Sequence, residues 1–309
     1  MVTAQDVRDA AERLRGVAVR TPLRYVEPLA AYLKLENLQP MGAFKIRGAY
    51  NAISRMPQAV RRQGVMTYSS GNHGQAVAYA AQLLGLRAVV VMPETAPAVK
   101  VAGVKRWGGE VVFAGRTSQD RQVKAEELAA RDGLAVVPPF DHADIVAGQA
   151  TVGLEIAADL PDVATVVVPV GGGGLISGVV VGLAAAGSVA RVWGVEPAGA
   201  PKLARSLAAG RPVRLERTAS LADGLITLSV GDIPFAQLAH HRDRLAGVVL
   251  VEDDALRDAV HFLWRECRVA VEPSGAATTA ALRSGAVRPV PPTVLVVSGG
   301  NVDPALLED

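Results

Sequence analysis

The stretch VATVVVPVGGGGLISGVVVGLAAAGSVA, residues 163–190, contains no charged residue and indicates the fold class of the chain. A membrane-spanning helix of this length would not tolerate Pro169 and the four glycines Gly171 to Gly174 at its centre. The pattern instead predicts a buried strand over 165–170, a glycine turn and a buried helix over 175–186. A strand that is apolar on both faces and leads into a helix is typical of parallel α/β sheets.

Outward from this stretch, apolar segments of strand length alternate with segments of helix length along most of the chain. Thr3 and Asp6 form a capping-box-like start for an N-terminal helix. Further strands are predicted at 64–68, 87–92, 110–113, 134–137, 191–196, 247–251 and 293–298. Further helices are predicted at 74–84, 98–107, 119–131, 253–267 and 274–284. The alternation predicts a mainly parallel α/β fold.

Two domains are expected, because a length of 309 residues exceeds what one hydrophobic core usually supports. The strands between about 64 and 137 form one block, and the remaining strands form another. We predict a large domain of residues 1–53 and 144–309, and a small α/β domain of residues 54–143 inserted into it. A ligand site is expected in the cleft between the two domains.

The composition excludes several classes of protein. Half of the residues are hydrophobic, 20% are charged and the formal net charge is only +2, which predicts a folded, soluble protein. Neither a nucleic-acid partner nor a membrane partner is expected, because no basic patch is visible. The single cysteine, Cys267, and an N-terminus without an apolar signal segment predict a cytoplasmic location.

Lysine and asparagine are scarce, with six and four copies, so those in glycine-rich surroundings are candidates for a site. Lys45 in GAFKIRG (42–48) follows Phe44, a setting that suits a partly buried amine able to form a Schiff base. The alternative for any lysine is a solvated surface cation. The glycine run Gly171 to Gly174 suits a phosphate, which backbone N–H groups at a helix start can bind, or is simply a tight turn.

Polar side chains also follow two other predicted strands. In SSGNHGQA (69–76), Ser69, Ser70 and Asn72 are placed to bind an anion or to cap the helix, and His73 begins that helix. In VVSGGN (296–301), Ser298 closes the last apolar strand, where a plain turn is the alternative. No Ser-His-Asp order or HExxH pattern supports a hydrolase.

A nicotinamide-dependent oxidoreductase is disfavoured, because the glycines do not fit the G-x-G-x-x-G register of dinucleotide-binding folds. The sixth residue is Ile176 when counting from Gly171 and Ser177 when counting from Gly172. A non-catalytic binding protein, the second alternative from another class, is also disfavoured, because every group expected of a cofactor site is present.

In their order along the chain, these motifs resemble the fold-type II pyridoxal 5'-phosphate enzymes, and within them the threonine/serine dehydratase and serine racemase group. The matching segments are TPL (21–23), LKLENLQ (33–39), FKIRG (44–48), SSGNHGQA (69–76), MPETAP (92–97), PPFDH (138–142), AGQAT (147–151), GGGGLISG (171–178), EPSGA (272–276) and SGGN (298–301). The resemblance implies two open, mainly parallel, three-layer α/β domains of the tryptophan synthase β type, with pyridoxal phosphate in the cleft between them.

The resemblance also implies roles for individual residues. It implies that Lys45 binds the cofactor covalently and transfers the α-proton, Phe44 packs beside the ring, and Asn72 binds the 3'-oxygen. Gly171, Gly172, Gly173 and Gly174 would bind the phosphate, and Ser298 would face the pyridine nitrogen. The substrate carboxylate would be bound by Ser69, Ser70, Asn72 and His73, and in racemases the serine at the position of Ser70 exchanges the proton on the opposite face.

The implied activity is β-elimination of L-threonine or L-serine to 2-oxobutyrate or pyruvate plus ammonia, in a homo-oligomer. The alternative is a serine or related amino-acid racemase with dehydratase side activity. Asp141 stands where the racemases carry asparagine, which favours the dehydratase. Racemases of this group bind a divalent cation with a Glu, an Ala carbonyl and an Asp; here Glu196 and Ala200 remain, but Lys202 replaces the Asp. We therefore expect no metal, with the Lys202 ammonium in its place.

Overall fold

The chain forms two β-sheets with helices on their faces, in a computed structural model that describes residues 1–69, 71–96, 98–115 and 118–308. The strands are β1 (Leu23–Val26), β2 (Ala31–Leu35), β3 (Val65–Tyr68), β4 (Ala88–Met92), β5 (Glu110–Phe113), β6 (Ala135–Val136), β7 (Thr165–Pro169), β8 (Arg191–Pro197), β9 (Leu245–Val251) and β10 (Thr293–Val297). The helices are α1 (Ala4–Arg13), α2 (Lys45–Arg55), α3 (Gln58–Arg61), α4 (Asn72–Leu83), α5 (Ala98–Arg106), α6 (Ser118–Asp132), α7 (Ala143–Asp159), α8 (Gly174–Ala185), α9 (Lys202–Ala209), α10 (Asp232–His240), α11 (Asp253–Arg265), α12 (Pro273–Arg283) and α13 (Ala305–Glu308).

The larger sheet has six strands in the order β1-β2-β10-β7-β8-β9. β1 runs antiparallel to β2, and all other neighbours are parallel. Every residue of β7 and β10 is buried, as expected for central strands of a parallel sheet that is covered on both faces. Two buried apolar clusters lie on this sheet, one formed with α11 and α12 and the other with α8. The sheet is thus the middle of three layers.

The smaller sheet has four parallel strands in the order β5-β4-β3-β6. One apolar cluster joins it to α4 and α2, and a second joins it to α6. This confirms the prediction of two mainly parallel α/β domains. The boundaries at 53/54 and 143/144 stay a prediction, and the apolar side chains Ile46 and Ile53 of α2 lie in the cluster of the small sheet.

Most predicted elements are present, with ends shifted by one or two residues. The N-terminal capping box is confirmed, because Asp6 N–H donates to the Thr3 hydroxyl at 3.2 Å and Thr3 N–H donates to the Asp6 carboxylate at 2.9 Å. The strands β1 and β2 and the helices α2, α3, α7, α9, α10 and α13 were not predicted. β2 (AYLKL) does not show the pattern of an apolar strand, because it contains Lys34. In the structure this lysine is fully buried and forms an ion pair with Glu155 at 2.6 Å.

The fold brings the ends of three strands to one region. β7 leads into Gly171, β10 leads into Ser298, and β3 leads into Ser69. β7 and β10 end at the carboxyl edge of the larger sheet, where α/β folds bind ligands. β3 belongs to the smaller sheet, and the helix after it reaches the same region because Asn72 contacts Asn301. Within the part of the chain that the structure describes, no helix is both long enough and apolar enough to cross a membrane.

Candidate active site

Lys45 is the first residue of α2, and the loop before it is attached to the end of β10. Phe44 N–H donates to the Ser298 carbonyl at 3.1 Å, and Ala43 forms an isolated antiparallel bridge with Gly299. These backbone contacts place the lysine next to Ser298, although 253 positions separate them in the sequence. The pairing of loop and strand end therefore builds one side of the site.

The Lys45 amine is partly buried and has a carbonyl as its hydrogen-bond partner. Nζ donates to the Pro139 carbonyl at 2.8 Å and lies 5.2 Å from the centre of the Phe44 ring. Burial lowers the pKa of Lys45 to about 8, because no carboxylate among the described residues compensates for the lost hydration. An amine with this pKa is neutral in a usable fraction of molecules near neutral pH, which a nucleophile or a base requires.

This pKa makes a prediction for the cofactor-free protein. The pKa of Lys45 is about 8 in the folded chain and 10.5 in its ordinary state, so the unfolded chain binds more protons between those values. Burial of Lys45 should therefore lower the free energy of unfolding most strongly below pH 8. This destabilisation should decrease as the pH rises from 8 to 10.5. Urea unfolding at pH 7.5, 8.5 and 9.5 should show the parent gaining stability relative to Lys45→Met. If the difference in the free energy of unfolding between the two proteins does not change with pH, the lowered pKa of Lys45 is contradicted.

The segment around Phe140 lies between the glycine turn after β7 and Lys45, and it contacts both. Pro139 accepts the hydrogen bond from Lys45, and the Phe140 ring packs so tightly on Gly172 that a Cβ there would lie 2.2 Å from it. Gly173 has φ of +91°, a conformation that favours glycine. The turn therefore depends on glycine for both its close packing and its backbone shape.

The backbone N–H groups of this turn are available to a ligand. Gly172, Gly173 and Gly174 are buried, yet no acceptor for their N–H groups exists among the residues that the structure describes. Buried N–H groups are almost always paired in proteins, so these groups at the start of the 12-residue helix α8 are suited to bind an anion. This favours the phosphate-binding prediction over a merely structural turn.

The start of α4 supplies the other side of the site. Ser69 is partly buried, and its hydroxyl accepts the Gly71 N–H at 3.1 Å. Asn72 is the first residue of the helix, so its backbone N–H belongs to the unpaired N-terminal group that attracts anions. Ser70, which the sequence proposes as a substrate contact and proton donor, lies outside the described residues.

The Asn72 side chain is held by two other polar groups. Its Nδ2 donates to Glu272 Oε1, and its Oδ1 accepts from Asn301 Nδ2 at 2.8 Å. One of the two hydrogens on Nδ2 therefore remains for a ligand. The geometry fits the predicted contact between Asn72 and an oxygen of the cofactor, which stays a proposal.

His73 does not supply a positive charge to the site. Its ring is buried, Nε2 lies 3.1 Å from the Val137 carbonyl, and burial together with the charge of Lys45 lowers its pKa to about 3. The side chain is therefore neutral at physiological pH and donates to Val137. The backbone N–H of His73 is therefore the better candidate donor to a carboxylate, and the predicted contact of His73 with the substrate stays a prediction.

Three further residues belong to this region and were not given roles by the sequence. Glu272 and Asn301 contact Asn72, and Lys100 forms an ion pair with Asp223 and lies 3.8 Å from Glu272 Oε2. The only signals for them were their presence in or beside the quoted motifs and the scarcity of lysine and asparagine. Their contacts span up to 229 positions and could not be read from spacing.

Lys202 is surrounded by oxygen atoms at the carboxyl ends of β7 and β8. Its Nζ donates to the Val170 carbonyl at 2.9 Å, to Glu196 Oε1 at 3.0 Å and to the Ala200 carbonyl at 3.1 Å. Both members of the Lys202–Glu196 pair are fully buried. The ammonium thus contacts the Glu and Ala oxygens named in the sequence analysis, which fits its predicted role in place of a metal. Among the described residues, no group of three or more His, Cys, Asp and Glu side chains could hold a metal ion.

A lysine of lowered pKa, a glycine turn with free buried N–H groups and a helix start together define an enzyme that binds a phosphorylated carbonyl cofactor. The chain belongs to the pyridoxal-phosphate dependent enzyme family, whose pattern matches residues 14–299. It is 38% identical to L-threonine ammonia-lyase of Thermotoga maritima over 100% of this chain and 78% of that protein. It is 35% identical to serine racemase of Schizosaccharomyces pombe over 97% of this chain and 94% of that protein.

The fold agrees with this membership. The crystal structure of a threonine deaminase from T.th. superimposes with a TM-score of 0.91, at 39% identity, and the match covers 97% of this chain and 99% of that one. The cofactor is pyridoxal phosphate, and the residues present fit it. Lys45 offers an amine, and the buried N–H groups of Gly172, Gly173 and Gly174 offer an anion site.

Proposed function

We propose that this enzyme catalyses the β-elimination of L-threonine, L-serine or both, releasing 2-oxobutyrate or pyruvate and ammonia. The observation that carries the proposal is the Lys45 amine, whose pKa is lowered to about 8 and which lies beside both the glycine turn and the end of β10. The similarity to L-threonine ammonia-lyase over the whole chain supports the substrate class.

The chain supplies anchoring for the cofactor. Lys45 would hold it covalently, Gly171 to Gly174 and the start of α8 would bind its phosphate, and Phe44 would pack beside the ring. When bound, pyridoxal phosphate supplies an electron-withdrawing π-system joined to the amino nitrogen of the substrate. The buried amides need no reorganisation to accept an anion, so the turn is a preorganised site.

Lys45 is the proposed base that removes the α-proton of the substrate. With a pKa of about 8, roughly a tenth of the free amine is neutral at pH 7, and this fraction accepts a proton. The protonated amine remains stabilised by the Pro139 carbonyl, to which Nζ donates at 2.8 Å. The position and the pKa of Lys45 therefore suit it both to attach the cofactor and to transfer a proton.

The start of α4 is the proposed site for the substrate carboxylate. The Ser69 hydroxyl and the backbone N–H groups of Asn72 and His73 are the donors, and Ser70 is expected to join them. A carboxylate is favoured there by the positive end of the 12-residue helix. Binding this group fixes the substrate so that its α-hydrogen meets Lys45.

Ser298 favours elimination over long-lived carbanion chemistry. It is 4% exposed at the end of β10, next to the loop that carries Lys45. In the proposed contact its neutral hydroxyl faces the pyridine nitrogen and, unlike a carboxylate, does not stabilise a protonated ring. Held by a neutral hydroxyl, the cofactor would withdraw electrons less strongly, which suits loss of a β-leaving group.

Racemisation of serine is the alternative, and the similarity to serine racemase together with Ser70 favours it. Asp141, the residue that favours the dehydratase in the sequence, contacts the start of α10. Its carboxylate accepts the N–H groups of Asp232 at 3.2 Å and Ile233 at 2.9 Å and so caps α10. The sequence-based preference for the dehydratase at this position stays a prediction.

The test is to incubate the cofactor-loaded enzyme with L-threonine, L-serine and D-serine and to measure 2-oxo acid and enantiomer ratio. We expect 2-oxo acid from L-threonine or L-serine to exceed formation of the opposite enantiomer. A folded, loaded enzyme that interconverts the serine enantiomers without releasing pyruvate would establish the racemase instead. An enzyme that does neither would contradict both functions.

We also propose that the enzyme is a homo-oligomer, a dimer or a tetramer, working in the cytoplasm. The unpaired, buried Cys267 is compatible with a reducing compartment. Light scattering coupled to size-exclusion chromatography should give a mass of two or four times 32.1 kDa. A mass of one chain across the working concentration range would contradict the oligomer.

A further inference from the structure

Glu272 is a buried carboxylate that the proposed mechanism does not use. It precedes α12 as its N-cap residue, and its backbone N–H donates to the Gly299 carbonyl at 3.2 Å, which fixes it to the loop after β10. Its side chain is 3% exposed. Oε1 accepts from Asn72 Nδ2, whereas Oε2 has no hydrogen-bond partner within the described part of the chain. Burial of a carboxylate with a free oxygen is costly, so a structural role alone explains it poorly.

The hydrogen bonds around Asn72 have a defined polarity. Asn301 Nδ2 donates both its hydrogens, one to the Met41 carbonyl at 3.0 Å and one to Asn72 Oδ1 at 2.8 Å. A carbonyl only accepts, so Met41 fixes which way the Asn301 amide faces, and Asn301 in turn fixes Asn72. The ionised carboxylate of Glu272 only accepts hydrogen bonds, and it accepts one from Asn72 Nδ2. One N–H of Nδ2 is left, and its direction is set by these partners.

Glu272 faces a buried lysine of another helix. Lys100 of α5 lies with Nζ 3.8 Å from Glu272 Oε2 and forms an ion pair with Asp223. Lys100 itself is 8% exposed, and its side chain packs on Gly71, immediately before Asn72. The helix that carries Asn72 and the helix that carries Lys100 therefore both contact one carboxylate of the large sheet's domain.

We propose that Glu272 is a positioning residue, which holds the Asn72 carboxamide through a charge-assisted hydrogen bond so that its remaining N–H faces the cofactor. The proposal rests on the proposed contact of Asn72 with the cofactor oxygen. A hydrogen bond to a charged acceptor is stronger than one to a neutral acceptor, so the ionised carboxylate holds Asn72 more firmly than an amide would. Asn301 provides the opposing contact.

The charge state of Glu272 is sensitive to pH near neutrality. Burial and the neighbouring Asp223 raise the pKa of Glu272 to about 7, against the lowering effects of Lys100 and Asn72. Among the residues that the structure describes, Lys100 and Asp223 are the charged groups that face it. As the pH falls through 7, the carboxylate should become neutral and its hold on Asn72 should weaken.

The experiment uses the purified enzyme reconstituted with pyridoxal phosphate and records the visible absorption band of the bound cofactor and its dissociation constant at pH 6 to 9. We expect Glu272→Ala to shift the band as Asn72→Ala does and to raise the dissociation constant about ten-fold. Glu272→Gln, which keeps an acceptor of the same shape, should stay within about three-fold and should lose the spectral change near pH 7. Asn301→Asp, which cannot donate to Asn72, should resemble Glu272→Ala.

The matched control is Glu252→Gln, since Glu252 is the N-cap residue of α11 and is exposed. It should leave the band, its pH dependence and the dissociation constant unchanged. If Asn72→Ala has no effect on the band, the proposed cofactor contact of Asn72 fails. If Asn72→Ala shifts the band but folded Glu272→Ala does not, or if Glu272→Gln titrates like the parent, the positioning role of Glu272 is overturned.

Discussion

Lys45→Ala is expected to abolish the elimination reaction, with a loss of about 10³-fold or more in turnover, and to remove the visible band of the bound cofactor. The physical reason is that one amine serves both as the attachment point and as the base, and a positioned base alone contributes about 10² to 10⁴ in rate. The Lys45 side chain contacts Pro139 and Phe44 without an ion pair among the described residues, so its loss leaves no buried charge unpaired. Absorbance and 2-oxo acid release measure the two effects.

Lys105→Ala is the matched control, because Lys105 is an exposed lysine on α5. It should keep both the cofactor band and the activity. Circular dichroism should show that Lys45→Ala is folded. A folded Lys45→Ala protein that retains the visible band and turns over L-threonine would contradict the assignment of Lys45.

Lys202→Met is expected to lower the free energy of unfolding by about 3 to 5 kcal/mol, since removing one partner of a buried ion pair leaves an uncompensated charge. Glu196 would keep only the backbone N–H groups of Leu203 at 2.8 Å and Ala204 at 2.9 Å. The carbonyls of Val170 and Ala200 would lose a donor as well. Urea unfolding of the parent and the variant measures the difference.

The control for this variant is Arg257→Met, which breaks the exposed ion pair with Asp254 and should change stability by less than about 1 kcal/mol. The parent should also keep its activity in EDTA, because the ammonium of Lys202 already contacts Glu196 and Ala200. A stability loss in Lys202→Met no larger than that in Arg257→Met would refute the structural role of the ammonium. A large loss of activity in EDTA that added metal restores would refute its replacement of a cation.

The parts of the fold that the sequence predicts are those in which local pattern and tertiary environment agree. The strands β7 and β10 are apolar on both faces and buried throughout, so their composition alone marks them. The Thr3 capping box is a contact between residues three apart, and it forms as its spacing predicts. β2 was missed because its Lys34 is neutralised by Glu155, a partner 121 positions away that no local pattern contains.

Some residues of the candidate site can likewise be found from the local sequence, whereas others depend on distant partners. Lys45, Asn72 and the glycines are found from their motifs, because each works through its own amine, amide or backbone. The neutral state of His73 was not predictable, since it depends on burial and on the carbonyl of Val137, which lies 64 positions away. The contact of Glu272 with Asn72 was not predictable either, because it joins residues 200 positions apart.

The sequence by itself determined the fold class, the family resemblance, the cofactor it implies and the lysine proposed to bind that cofactor. These follow from apolar runs, glycine turns and reactive side chains, whose chemistry is local. Only the tertiary structure decided that Lys45 lies between Ser298 and Pro139, that Lys202 contacts three oxygens, and that Asn72 is held by Glu272 and Asn301. Hydrogen-bond polarity and pKa depend on burial and on partners distant in sequence, and folding alone brings those partners together.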